Sequence, residues 1–309
     1  MLPYLLGTDE PDRRSVARAL AGLRIVAGLL WLFNANWKRP PDFGRESGRL
    51  LYGYVQAAID HPVLAPFSWV MQNVVQPAFI PFGWGVLVVE TLLAGLLLTG
   101  TFTRLAALLG IAQGSAIALS VLQAPGEWPW SYYLLLAVHV VLFFGSAGLA
   151  WGVDGVRAAA SAGAGARPAA RLVLTWGSLL AAVGLVAAAV AVASSPATLG
   201  SSSFEVSLGA YNVAGGVLLV VVGALMVAAG RTARASFAFA AAAVGLVCTA
   251  TIWTQTATGS SIWLGANLTA AALFVTGAVA AVGCGAVLRA ASGHVARPAS
   301  AVQAGTADG

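Results

Sequence analysis

The chain has 309 residues, of which 59% are hydrophobic and 9% charged, against roughly 25% charged in an average soluble domain. With a mean hydropathy of +0.84, this composition excludes a soluble globular protein and predicts an all-α polytopic membrane protein. The net charge of +5 reads as a topology signal, with no nucleic-acid partner implied.

Apolar stretches near the ~20 residues needed to cross a bilayer lie at 16–36, 82–100, 105–123, 131–150, 171–193, 208–229, 235–255 and 264–288. They predict about eight transmembrane helices. Residues 1–15 read as a cytoplasmic leader, and the first run as an uncleaved span because a charged segment precedes it. Residues 37–82 are too many for a simple connection. Their first part, WKRPPDFGRESGRLLYGYVQ, is polar and aromatic; their second, VLAPFSWVMQNVVQPAF, is bounded by Pro66 and Pro77 and reads as an interfacial or re-entrant helix. Together they form an outer lid over a site. The Gly/Ala-rich, basic stretch 152–170 has the composition of a cytoplasmic linker. It separates a four-helix membrane domain, 16–151, from a second one, 171–289. Residues 290–309 are small and polar and read as a disordered cytoplasmic tail. Gly100-x-x-x-Arg104 and Gly230-x-x-x-Arg234 open equivalent turns, the pattern of a parallel repeat of two halves.

Twelve of the sixteen Lys and Arg fall on the side of both termini and four, Lys38, Arg39, Arg45 and Arg49, on the other. That bias places the N and C termini in the cytoplasm. Trp37, Trp69, Trp84, Trp128, Trp130, Trp253 and Trp263 cluster near the outer span ends, as an aromatic belt does. Cys248 and Cys284 lie at different depths and read as packing residues. No CxxC, metal-ligand spacing, phosphate-binding Gly loop, haem or flavin motif occurs.

Glu90 stands in the middle of the second span, where a lone acid must be protonated or paired. Measured from the outer ends at ~1.5 Å per residue, Asn34 lies about 5 Å down, Glu90 and His139 roughly 10 Å, Gln113 about 15 Å and Arg24 some 20 Å. These groups predict a descending polar column in which Glu90 and His139 are level and share a proton. Arg24 has a second reading, snorkelling or structural pairing at the inner headgroups. Lys38, Arg39, Arg45 and Arg49 on the lid would attract an anion. The polar residues of the last four spans are uncharged and read as interhelical glue.

The run Glu90-Thr-Leu-Leu-Ala-Gly95-Leu-Leu-Leu-Thr-Gly100-Thr-Phe-Thr-Arg104, with Arg24, Gly28 and Lys38 before it and Gly148-Leu-Ala-Trp-Gly152-Val-Asp154 after it, resembles the DoxX-like family. Trp37-Lys38-Arg39-Pro40-Pro41-Asp42-Phe43 is similar to the outer loop of its DoxD type, the small subunit of thiosulfate:quinone oxidoreductase. The resemblance covers residues 20–155 and departs from the family at Leu149, where a basic residue is common. It implies a four-helix bundle, with four further helices here, that takes part in electron transfer to the quinone pool beside a second small subunit or redox enzyme. By position, Glu90, Lys38, Arg104 and Asp154 are typical of the family. With the bottom-up reading, Glu90 and His139 become candidate catalytic residues. Arg24, Asn34, Gln113, Lys38, Arg39 and Trp37 become candidate quinone or substrate residues, and Gly95, Gly100, Arg104 and Asp154 a structural motif. The expected setting is a bacterial or archaeal plasma membrane. A non-catalytic docking subunit and a proton or small-solute transporter are the alternatives.

Overall fold

The computed structural model describes residues 12–194, 204–206, 209–260, 263–265 and 267–295. In chain order they form α1 (Arg13–Ala35), α2 (Leu50–Asp60), α3 (Ala65–Val70) running into a π turn (Met71–Val75), α4 (Phe79–Thr99), α5 (Thr103–Val121), α6 (Pro129–Phe144), α7 (Val153–Ser161), α8 (Arg167–Ser194), β1 (Phe204–Val206), β2 (Gly209–Tyr211), α9 (Val213–Thr232), α10 (Ala235–Thr258) and α11 (Leu268–Val295). The strands β1 and β2 make one short antiparallel pair. Successive long helices alternate in direction. One end of the bundle therefore carries residues 36–78 and 122–128, the lid end, and the other carries 100–102 and 145–166, the linker end.

Seven helices among the described residues, α1, α4, α5, α8, α9, α10 and α11, are long and apolar enough to cross a membrane. The expected fourth span, 131–150, is shorter than its composition implied. α6 has 16 residues, about 24 Å at ~1.5 Å per residue, and Gly145 ends it. The chain then coils through residues 146–152 at the linker end.

Local chemistry explains where the first helices begin and meet. Asp12 caps α1, its carboxylate accepting from the amides of Arg14 at 2.7 Å and Ser15 at 2.9 Å, which satisfies donors that have no intrahelical partner. Ala21, Arg24, Gly28, Trp31 and Ala35 recur every three or four residues and are buried together, giving α1 one face for α4. Gly28 makes that contact close: a Cβ there would lie 2.9 Å from the Leu98 amide nitrogen.

In the second half, α8 and α9 meet through glycines seven residues apart, Gly177 and Gly184 on one and Gly216, Gly223 and Gly230 on the other. A Cβ on Gly177 would sit 2.7 Å from the Gly223 carbonyl oxygen, and one on Gly184 would sit 2.6 Å from that of Gly216. Small residues let the two backbones touch, which is how helices associate where lipid removes the hydrophobic drive.

Three sequence expectations change. The linker is not a loose connection: its Ala-rich centre forms α7, and Val153 and Val156, three apart, turn into the core. Val153 packs where Gly283 of α11 leaves room. The predicted tail starts too early, since α11 continues to Val295; residues 296–309, like most of the leader, lie outside the described residues. The suggested repeat also fails at its turns. Gly100 ends α4 with φ +65°, whereas Gly230 lies inside α9 and the left-handed residue there is Ala233.

The two halves are joined by α11. It packs against α10, α8 and α7 and also against α4 and α1. Gly95 of α4 lies at this seam, its Cβ position 3.4 Å from Val279. Cys248 and Cys284 are free and buried in the second core.

Candidate functional site

Glu90, fully buried on α4, faces two groups from distant parts of the chain. Its Oε2 lies 2.7 Å from Nζ of Lys38, and its Oε1 accepts a hydrogen bond from Nε2 of Gln113 on α5 at 3.2 Å. A carboxylate in an apolar interior persists only with such partners, because an unpaired buried charge costs several kcal/mol.

Lys38 reaches this depth because the chain turns back where α1 ends. The Asn36 amide donates to the Phe33 carbonyl and the Lys38 amide to that of Ala35, so the side chain points into the bundle, 1% exposed. Nζ also donates to the Asn34 carbonyl at 3.3 Å and lies 3.3 Å above the centroid of the Trp37 ring, a cation–π contact in a desolvated place. Trp37 is fixed in turn: its Nε1 donates to Asn34 Oδ1 at 2.7 Å, and its ring stacks on Tyr54 of α2 at 5.1 Å between centroids. Lys38 is therefore not one of the lid's surface cations; the buried carboxylate draws it inward. Arg39, Arg45 and Arg49 are exposed.

The structure thus brings together Asn34, Trp37, Lys38, Glu90 and Gln113. It adds groups that sequence spacing did not single out. Tyr54 sits on the lid side, where burial raises its hydroxyl above the ordinary value and the negative charges of Glu127 and Glu90 add to the effect. Glu127, on the loop before α6, accepts a hydrogen bond from the Tyr132 hydroxyl. The only sequence cue was the aromatic density of residues 50–54 and a lone acid in the outer loop.

His139 takes different partners from those expected. Its Nε2 accepts from the indole Nε1 of Trp31 at 2.9 Å, and Nδ1 faces the Leu135 carbonyl at 2.8 Å, which assigns the proton to Nδ1. The ring lies against Gly110 of α5, where a Cβ would be 2.1 Å from Cδ2. Gly110 and Gln113 are one turn apart, so the imidazole sits one rung nearer the linker end than the carboxylate. Among the described residues no hydrogen bond joins Glu90 to His139. The equal-depth estimate ignored which faces of α4 and α6 meet α5.

Arg24 is not a lower step of a column beneath Glu90. Nη1 donates to the carbonyls of Leu97 at 2.8 Å and Leu98 at 3.2 Å, and Nη2 to those of Ala150 and Trp151, both at 3.4 Å. The first two belong to the last turn of α4, whose carbonyls have no following helical turn to pair with, Leu97 receiving only the Gly100 amide at 3.3 Å, and carry the negative end of the helix dipole. Of its two sequence readings, structural pairing is the one the contacts describe.

Around this clasp the glycine motif forms a latch. Gly100 ends α4, and a Cβ on it would lie 2.3 Å from Arg24 Nη1. The Gly100 carbonyl accepts from the Asp154 amide at 2.9 Å. Asp154 returns two bonds, accepting from the amides of Phe102 at 2.9 Å and Thr103 at 2.8 Å, and so caps α5. Gly148 leaves the space for this, since its Cβ would be 2.4 Å from Thr103 Oγ1. Arg104 is exposed and stands outside the latch.

Chemically, the Lys38–Glu90 pair holds one transferable proton between an ammonium and a carboxylate inside an apolar bundle, with the Gln113 amide donor on the carboxylate and the Trp37 ring face against the ammonium. Among the described residues no three His, Cys, Asp or Glu side chains cluster as a metal site requires. No family model matches the chain, and neither does any curated protein or solved structure.

Proposed function

We propose that the chain is a DoxX-like integral membrane subunit serving electron transfer to the quinone pool, in which the Lys38–Glu90 pair handles the protons that accompany quinone reduction. One observation carries the reading: a 2.7 Å ion pair, 1% and 0% exposed, in a protein with seven helices among its described residues long and apolar enough for a bilayer. A quinone needs proton donors beside its carbonyls within reach of lipid. Gln113 supplies a neutral donor at the pair, and the Thr91 hydroxyl, unpartnered among the described residues, lies next to it in sequence. The lid, with Leu64, Trp69 and Val74 exposed, gives an apolar surface past which a lipid-borne ring can travel, and its opening admits the ring to the pair. Electrons come from a thiosulfate or thiol donor through a partner redox enzyme, the exposed Arg39, Arg45 and Arg49 attracting the anion. In this reading both termini face the cytoplasm of a bacterial or archaeal plasma membrane.

The test is quinone reduction by the full chain, purified with its partners in mild detergent, with thiosulfate or a thiol as donor. Glu90→Gln is expected to lower the rate by about a hundredfold, the scale of a lost general acid or base. Equal rates for Glu90→Gln and the parent remove the reading.

A docking subunit without chemistry is the second reading, favoured by a specific observation: Arg24, Lys38, Glu90 and His139 all find partners within the chain. Co-purification with a redox enzyme whose turnover is indifferent to Glu90→Gln supports that reading instead.

A further inference from the structure

We infer that the groove at the linker end between α4, α7 and α11 holds one anionic glycerophospholipid, its phosphate on Arg157 and its acyl chains along α11. The inference is independent of the quinone reading, because Glu90 stands mid-way along α4 with Lys38 and Gln113 as its partners, and none of the three lines this groove.

The groove has a volume of about 1110 Å³ and is lined by Leu96, Leu246, Val279, Val282, Ala286 and Val287. That exceeds the roughly 300–1,000 Å³ of ordinary small-molecule pockets. Phe102, Leu246 and Val282 are 50%, 52% and 46% exposed along it, so it opens sideways to the surrounding apolar medium. Its walls reach the last turn of α4, which is the level of the headgroups at this end.

Arg157 stands at the mouth, already oriented. Its guanidinium lies 4.6 Å from the Phe102 ring centroid, and the Phe102 amide is tied to Asp154. The same Asp154 is the ionic partner of Arg157, at 3.7 Å, beyond hydrogen-bond distance, and both its oxygens are engaged by backbone amides. Arg157 makes no hydrogen bond among the described residues and its side chain is 49% exposed. Its donors are free in a fork that suits phosphate oxygens.

Charge selects the occupant. Arg157 is the one cation among the residues lining the groove, Arg167, Arg171, Arg231 and Arg234 add positive charge at the same end of the bundle, and a cation at the mouth of an apolar groove between helices favours an anionic headgroup. A quinone would leave the guanidinium without an anion, and the Ala-rich segment 296–309, whose larger apolar side chains are Pro298 and Val302 alone, has little apolar surface for the walls.

The full chain, purified in mild detergent and titrated with dioleoylphosphatidylglycerol or dioleoylphosphatidylcholine, is read by native mass spectrometry, with extraction of what it retained from the cell. A stoichiometric anionic phospholipid is expected in the parent. Arg157→Gln should weaken phosphatidylglycerol binding roughly fivefold, the worth of one cation at a lipid surface. Arg157→Lys should recover part of it, and Arg45→Gln, at the opposite end, none of the loss. Ala286→Trp, which fills the groove, should displace the lipid; size exclusion shows whether that variant folds, and Arg157→Gln decides if it does not. Equal binding of the two lipids, equal binding by Arg157→Gln, or a retained quinone in place of phospholipid overturns the assignment.

Discussion

Lys38 Nζ and Glu90 Oε2 lie 2.7 Å apart with both side chains withdrawn from solvent, so each charge depends on the other. Glu90→Ala leaves a buried ammonium, and Lys38→Met a buried carboxylate; either change should cost about 3–5 kcal/mol. The double variant Lys38→Met/Glu90→Leu should recover most of that loss, because it removes both desolvated charges. Thermal unfolding in detergent measures all three. Additive losses would show that the two residues are not coupled.

Asp154 makes the second prediction. Its carboxylate is the acceptor for the amides of Phe102 and Thr103, and its own amide holds the Gly100 carbonyl. Asp154→Ala should destabilise the linker end by roughly 1–3 kcal/mol, the cost of orphaned donors, with faster amide exchange at residues 102 and 103. Gly148→Ala should mimic it by steric means, since the added methyl meets Thr103 Oγ1 and Asp154 Oδ2. Unchanged exchange in both variants would dissolve the latch.

The glycine seam of α8 and α9 gives a third. Gly223→Leu must push the helices apart, its Cβ alone falling 2.5 Å from the Ala181 amide nitrogen; overpacking of this kind costs at least about 1–3 kcal/mol. Gly85→Ala is the control, with nothing within 4 Å of its Cβ position and about 1 kcal/mol of helix propensity to gain. Melting temperatures should move in opposite directions.

Much of the architecture was legible in the chain because apolar length is a one-dimensional signal. The long spans follow from it, and so does Glu90 as the residue needing an explanation. What remained hidden was which face of each helix meets which. Glu90 and His139 count to the same depth along the sequence but turn to different partners one helical turn apart on α5, and depth says nothing about azimuth. Lys38 looked like a loop cation because a backward turn after Ala35 is invisible to hydropathy. The stretch around α7 looked like a linker because Gly and Ala dominate its composition, although Val153 and Val156 already marked one face. The seven-residue glycine spacing of α8 and α9 was present in the sequence, but its meaning requires knowing that those two helices are antiparallel neighbours.

Trp31 and His139 make the last prediction, and it separates packing from chemistry. The indole N–H has the imidazole Nε2 as its acceptor at 2.9 Å, and the ring fills the space over Gly110. His139→Leu removes that acceptor inside the bundle and should cost about 1–3 kcal/mol of stability. Trp31→Phe in the same background should recover part of it, because the orphaned donor is gone. Since Glu90 draws its partners from Lys38 and Gln113, the quinone reading proposed above expects folded His139→Leu to stay within about twofold of the parent in quinone reduction, well short of the hundredfold scale of a lost proton donor. A variant that melts normally yet loses turnover would return the imidazole to the proton path and place Trp31 as its orienting partner.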